Sequence, residues 1–177
     1  MAKFDIAIPH VLAWEGGYVS HPADPGGATN RGITIGVFKK YAQSLLSIEP
    51  TLENLKALTE VQAKAIYKHA FWDRMQGDKI DSQQMASIMF DGFVNCGANG
   101  IKMMQRVIGV KEDGIFGPNS LSALNTITAE KDAEIHIYTW YKGLRKQYYE
   151  NLAERKPAMK VFLKGWLNRI ESFPDLE

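Results

Sequence analysis

Cysteine, net charge and long apolar runs are all scarce in this chain, and each shortage excludes a class of protein. Lys and Arg total 21 against 20 Asp and Glu, a formal charge of +1 over 177 residues. That balance lacks the basic footprint of a nucleic-acid binder, so no nucleic-acid partner is expected. Cys96 is the only cysteine. A lone thiol excludes an internal disulfide framework and a multi-cysteine metal site, and it fits synthesis in a reducing compartment. No apolar run approaches the length that spans a bilayer, so stable membrane insertion is not expected. The opening MAKFDIAIPHVLAWEGG has neither the unbroken apolar stretch nor the small-residue cleavage site of a signal peptide. Cytoplasmic synthesis without a signal peptide is expected, with something else releasing the protein if it acts outside.

What remains is ordinary globular material, 45% hydrophobic and 23% charged. A chain of this length buries enough surface to need no disulfide or metal. Alternating strand patterns are rare, and helical spacing recurs. Phe4, Ile8, Val11 and Leu12 form one face. Thr59-Glu60-Val61-Gln62 reads as a capping box, with Ala63, Ile66, Tyr67, Ala70 and Phe71 behind it. Asp81 is placed to cap a helix containing Met85, Ile88 and Met89, which should stop within Asn95 to Gly100. Pro118 suits the first turn of another helix. Ile137, Tyr141, Leu144, Tyr148 and Leu152 give the cleanest amphipathic pattern, and Pro157 can open a last helix with Phe162, Trp166 and Ile170 on one face. The fold class is mainly α.

Residues 16–36 break the helical rule. Pro22, Pro25 and a set of glycines predict a long glycine-rich loop or short hairpin near the N-terminus. Long irregular segments in compact proteins are often functional. This one is bracketed by ionisable groups: Glu15 before it, then His21, Asp24 and Arg31, with hydroxyls on Thr29 and Thr34. Glu15 follows Val11, Leu12 and Trp14 at a helix end. Partial desolvation and the negative end of the helix dipole both favour a protonated carboxyl there, as a general acid requires. Asp24, among Pro25, Gly26 and Gly27, is placed to stay ionised. One protonated and one charged carboxyl is the division used in glycoside cleavage. A capping glutamate and a plain Asp-Pro-Gly-Gly turn would leave the same spacing. His21 lies near Asp24 without the other ligands of a zinc site, and neither metal nor cofactor is expected.

The stretch Glu15-Gly16-Gly17-Tyr18, followed by His21-Pro22-Ala23-Asp24-Pro25-Gly26-Gly27-Ala28-Thr29-Asn30-Arg31-Gly32-Ile33-Thr34, resembles the N-terminal signature of glycoside hydrolase family 108. Phe90-Asp91-Gly92-Phe93-Val94-Asn95-Cys96-Gly97 is similar to a second family segment. Asp113-Gly114-Ile115-Phe116-Gly117-Pro118 is similar to a segment of the peptidoglycan-binding region that usually follows. The resemblance implies a lysozyme-like helical fold. It also implies a catalytic region over 1–94 and a helical peptidoglycan-binding region over 95–177, and since 177 residues leave little space for two separate cores, the second is expected to pack closely on the first. The implied activity is an N-acetylmuramidase, an endolysin of phage or prophage type that cuts the β-1,4 bond between N-acetylmuramic acid and N-acetylglucosamine.

Carried onto this chain, the family's essential acid is Glu15. Glu15, Asp24 and Thr29 resemble the catalytic set of phage members of the wider superfamily. Gly92 and Cys96 stand where a larger residue and a serine are common, and neither change removes the acid. Tyr18 is a candidate to stack on a sugar or to plug the loop. Asn95 is a candidate to bind an N-acetyl group or to cap its helix. Lys102, Arg106 and Lys111 are placed either to meet acidic stem-peptide groups or to remain solvated surface. Glycan strands of peptidoglycan are the implied partner, with a monomer and holin-dependent release onto the cell wall. A non-catalytic wall-binding or secretion and lysis accessory protein is the alternative. Activity should need no metal: wall suspensions should clear equally in EDTA, and clearing abolished by EDTA but restored by zinc would contradict this reading.

Overall fold

The computed structural model describes residues 1–20 and 27–177. The chain divides into two compact units, one formed by Phe4–Arg74 and the other by Met1–Lys3 with Met75–Glu177. Both are built from helices, and a two-stranded antiparallel ladder is the sole sheet among the described residues. No described helix is long and apolar enough to cross a membrane.

In the first unit, α1 (Phe4–Ala13) buries Phe4, Ala7, Ile8 and Val11, the spacing of one helical face. The Phe4 ring meets buried Trp72 edge-on at 5.8 Å. Strands β1 (Thr29–Asn30) and β2 (Ile33–Thr34) pair as a hairpin and lead directly into α2 (Ile35–Leu46). The Thr34 hydroxyl caps α2 by accepting from the Val37 N–H at 3.3 Å. A short α3 (Leu52–Lys56) was not legible as a periodic pattern; the Thr51 hydroxyl starts it by accepting from the Asn54 N–H at 3.2 Å. The capping box opens α4 (Glu60–Tyr67): the Thr59 N–H donates to Gln62 Oε1 at 3.0 Å, and the Gln62 N–H donates to Thr59 Oγ1 at 3.2 Å. A π-helical turn, Lys68–Trp72, extends it.

The second unit comprises α5 (Gln83–Cys96), α6 (Ala98–Val107), α7 (Pro118–Thr128), α8 (Lys131–Arg155) and α9 (Lys160–Glu171). Ser82 rather than Asp81 caps α5, its hydroxyl accepting from the Met85 N–H at 3.1 Å, while the Asp81 N–H donates to Asn125 Oδ1 at 3.1 Å. Helices α5 and α6 meet at Gly97, whose φ of 56° turns the chain within one residue. They then pack so tightly that a Cβ on Gly100 would strike the Gly92 carbonyl. Pro118 begins α7 as its fixed φ favours. Pro157 opens a 3₁₀ turn, and α9 starts three residues later. Phe162 points outward, 53% exposed, whereas Trp166 stacks on Tyr149 at 4.7 Å.

The buried face of α8 is rotated from the expected stripe. Ile137 and Tyr141 are buried as expected, but Arg145, Tyr149 and Ala153 continue the inward face in place of Leu144, Tyr148 and Leu152. The cause is Asp91. Its carboxylate is fully buried on α5 and accepts from Arg145 Nη2 at 2.5 Å and from Arg169 Nε at 2.7 Å. Burial pushes the Asp91 carboxyl up, yet the two guanidiniums outweigh it and hold the group below its ordinary range. Arg145 Nη1 also reaches the Ile88 carbonyl at 3.4 Å, while its Nε finds no hydrogen-bond partner among the described residues. Burying a charge is tolerable only when it is paired.

Replacing Asp91 by Asn should cost about 3–5 kcal/mol, because two buried guanidiniums would face a neutral amide. Because its folded pKa is depressed, the Asp91 contribution is fully present above the unfolded value of about 3.9. It is lost as the pH falls through the lower folded value. Urea unfolding at pH 7 should therefore separate the two proteins, and the gap should shrink in stronger acid. Equal stability at pH 7 would contradict the role given to Asp91.

Candidate active site

Glu15 sits two residues beyond α1, where its N–H donates to the Leu12 carbonyl at 3.1 Å. Its side chain is half-buried. What receives it is the hairpin turn. Asn30 pairs with Ile33, so Arg31 and Gly32 form a two-residue turn with φ of 50° and 73°. Positive φ at both positions is the mark of a type I′ turn, whose twist matches that of the strands. Gly32 is required for a second reason: a Cβ there would overlap the Glu15 carboxyl and the Tyr67 hydroxyl. The two oxygen groups flank one point in space and are therefore neighbours.

Each part of this arrangement is anchored. Tyr67 is fully buried on α4, and its hydroxyl donates to the Arg31 carbonyl at 2.9 Å. Arg31 Nε donates to the Leu58 carbonyl at 3.0 Å. The buried Asn30 amide donates to the carbonyls of Leu55 and Lys56 at 2.8 and 3.0 Å, tying the hairpin to the end of α3. Val19 and Thr29 exchange both backbone hydrogen bonds at 2.8 Å, which holds the segment after Glu15 against the same hairpin. The result is a carboxyl set beside a hairpin turn that is braced from several sides.

Of the residues singled out in the sequence, Glu15 and Thr29 lie on this hairpin framework. Thr29 is half-buried, and its hydroxyl donates to the Gly27 carbonyl at 3.4 Å. Tyr18 is 36% exposed, with the Lys56 ammonium 5.1 Å from its ring centre. Asp24 and His21 lie outside the described residues. Asn95 belongs to the second unit, exposed on α5, where its amide nitrogen donates to the Asp91 carbonyl at 2.7 Å and carboxylate at 3.3 Å. Cys96 is buried, its thiol donating to the Tyr149 hydroxyl at 3.3 Å, and burial pushes the thiol pKa up. Tyr67 escaped the sequence reading as a site residue because it reads as one more apolar position on α4. Gly32 is visible in the sequence only as one glycine of the glycine-rich segment; its place in a two-residue turn comes from the structure.

The fold is mainly α and of the lysozyme-like class. Residues 8–97 match the family model described as Glycosyl hydrolase 108, and residues 99–171 match the one described as Predicted Peptidoglycan domain. The chain belongs to glycoside hydrolase family 108, and in general terms it is a peptidoglycan hydrolase. The solved structure of Brucella abortus SagA is similar, at 32% identity and a TM-score of 0.77, over 96% of this chain and 90% of that one. No curated protein matches the chain. The seam between the two family regions falls at the α5–α6 corner, whereas the compact units divide between Arg74 and Met75. Helix α5 thus belongs to the hydrolase region in sequence and to the second unit in space.

Gly32→Ala should damage both structure and activity. The added methyl meets Glu15 and Tyr67, and the left-handed backbone costs about 1–3 kcal/mol for a residue other than glycine. Gly16→Ala is the control, since a Cβ there meets nothing within 4 Å. Unfolding curves and wall-clearing rates should single out Gly32→Ala; equal behaviour of the two variants would remove Gly32 from the site.

Proposed function

We propose that this protein hydrolyses the β-1,4 bond between N-acetylmuramic acid and N-acetylglucosamine, with Glu15 as the general acid. The observation that carries the reading is the half-buried Glu15 carboxyl held over Gly32 beside the Tyr67 hydroxyl. In this scheme Glu15 protonates the oxygen leaving C1 of N-acetylmuramic acid as positive charge develops at the anomeric centre. Asp24 either stabilises that charge or, with Thr29, orients water on the opposite face. The Thr29 hydroxyl donates to Gly27, so its lone pairs can accept from such a water. Tyr18 would stack on a sugar ring, and the exposed carboxamide of Asn95 would meet an N-acetyl group. The catalytic work is assigned to residues 1–94 and wall binding to residues 95–177.

Glu15→Gln keeps the shape and hydrogen-bonding capacity of the side chain but cannot supply the acid's proton. Its kcat should fall at least about 100-fold, the lower magnitude for general acid–base catalysis, with folding little changed. Wild-type activity in this variant would remove Glu15 as the acid. The products give an independent reading. Hydrolysis leaves a reducing N-acetylmuramic acid end, first as the α-anomer if Asp24 and Thr29 deliver water from the opposite face. A first-formed β-anomer in early proton NMR spectra would keep the muramidase and discard that role for Asp24. A 1,6-anhydro end by mass spectrometry would replace hydrolysis with transglycosylation. Wall binding with no fragment released would favour an accessory protein.

A further inference from the structure

Helices α6 and α8 pack together, and each presents a stripe at spacings of three, four and seven residues to a shared groove of about 190 Å³. From α6 come Asn99, Lys102, Met103 and Arg106; from α8 come Leu144, Gln147, Tyr148 and Asn151. Such stripes are normally the apolar seam between helices. Here only Met103 and Leu144 are aliphatic, and the rims carry amides, two cations, a phenol and the carboxylate of Glu112. The Asn99 amide donates to the Tyr148 hydroxyl across the groove at 3.4 Å.

The turn after α6 organises the cationic rim. Buried Gln105 clasps the Asp113-Gly114-Ile115 segment: its Nε2 donates to Asp113 Oδ1 at 2.8 Å and to the Ile115 carbonyl at 3.0 Å, while its Oε1 accepts from the Gly114 N–H at 2.8 Å. Gly114, at φ of 80°, leaves the space in which the Lys102 stem lies; a Cβ there would stand 3.3 Å from Lys102 Cε. Glu112, in the same turn, holds Arg106 through two bonds of 2.9 and 2.6 Å. The motif thus fixes one guanidinium against a carboxylate and leaves room for the stem of Lys102, which lines the groove.

We propose that this groove binds the stem peptide of peptidoglycan, a deepening of the function above that rests on peptidoglycan being the substrate. Carboxamides donate and accept at once, as peptide amides do. Arg106 is already paired with Glu112, so Lys102 is the cation that matches a free carboxylate, which a peptide-bearing glycan carries on its stem and not on its sugars. Tyr148 supplies an apolar ring for alanyl methyl groups.

The test uses the full chain carrying Glu15→Gln, which binds without cutting, titrated with N-acetylmuramyl-tripeptide and, separately, with an N-acetylglucosamine hexamer. Calorimetry should show the tripeptide ligand weakened about tenfold by Lys102→Gln, the effect of losing a hydrogen bond to a charged group. A Gln147→Ala and Asn151→Ala double variant, altered only at exposed positions, should weaken it similarly. Unchanged tripeptide affinity in both variants would overturn the proposal, as would a hexamer that loses affinity equally in both. An acidic tripeptide of L-residues that binds as tightly would reduce the groove to unspecific charge attraction and also overturn it. Wall clearing by the wild type without tripeptide binding defeats the groove alone. Tripeptide binding without clearing defeats the hydrolase alone.

Discussion

The Glu15 carboxyl and the Tyr67 hydroxyl both occupy the space that a side chain at position 32 would fill, and this exclusion governs the first unit. A hairpin closed by two residues of positive φ already favours glycine. The close approach of two polar groups makes it obligatory. The hairpin must then be held, since two strands of two residues cannot be stable alone. Asn30 and Arg31 tie it to the chain between Leu55 and Leu58, Tyr67 ties it to α4, and Val19 adds a third pairing. Every one of these bonds ends on a backbone carbonyl or N–H. Side-chain substitutions at Leu55, Lys56 and Leu58 therefore keep the acceptors in place, whereas loss of the Asn30, Arg31 or Tyr67 side chain removes a donor.

The second unit depends on a different constraint. A carboxylate at zero exposure cannot stand alone, so Asp91 draws Arg145 and Arg169 inward from α8 and α9. Two long cationic stems then occupy places that aliphatic residues would otherwise fill. Gly92 makes room for Tyr141 on the same helix as Arg145: a Cβ there would collide with the Tyr141 hydroxyl, whereas Arg145 Cδ at 3.5 Å would be in ordinary contact. Its position next to Asp91 thus has a packing reason, and the Tyr141 hydroxyl continues past it to the Gly100 carbonyl at 3.2 Å. Buried ion clusters of this kind add little net stability over a packed apolar core. What this one does is define which face of α8 turns inward.

The helical class, the capping box at Thr59 and the start of α7 at Pro118 were legible because each is local. Apolar spacing, a cap and a fixed φ all act within one or two turns of chain. The rotated face of α8 was not legible, because the apolar stripe through Leu144, Tyr148 and Leu152 is a valid local solution. Only the distant Asp91 overrides it. Ser82 displaced Asp81 as a cap in the same way, since Asn125 engages the Asp81 backbone from 44 residues away. At the site, Glu15 stood out as an acid at the end of an apolar helix. Its neighbour Tyr67 did not, since nothing in a helical stripe distinguishes a tyrosine that fills space from one whose hydroxyl braces a turn.

The Asp113-Gly114-Ile115-Phe116-Gly117-Pro118 segment shows how a motif can be specific without touching any reacting atom. Asp113 caps its own turn by accepting from the Ile115 N–H at 3.0 Å and from Gln105, and these bonds hold its carboxyl below the ordinary range. Phe116 is buried, and its carbonyl accepts from Gln76 Nε2 at 3.0 Å. Pro118 sets the first turn of α7. Asp113, Gly114 and Pro118 thus serve backbone geometry and Phe116 serves burial, while Ile115, the apolar side chain between them, is 73% exposed and free to vary without disturbing the turn. The chemistry lies in what the turn displays: the stem of Lys102 over Gly114 and the carboxylate of Glu112 on Arg106. A scaffold built from backbone rules can present charged side chains with little loss of rotamer entropy on binding.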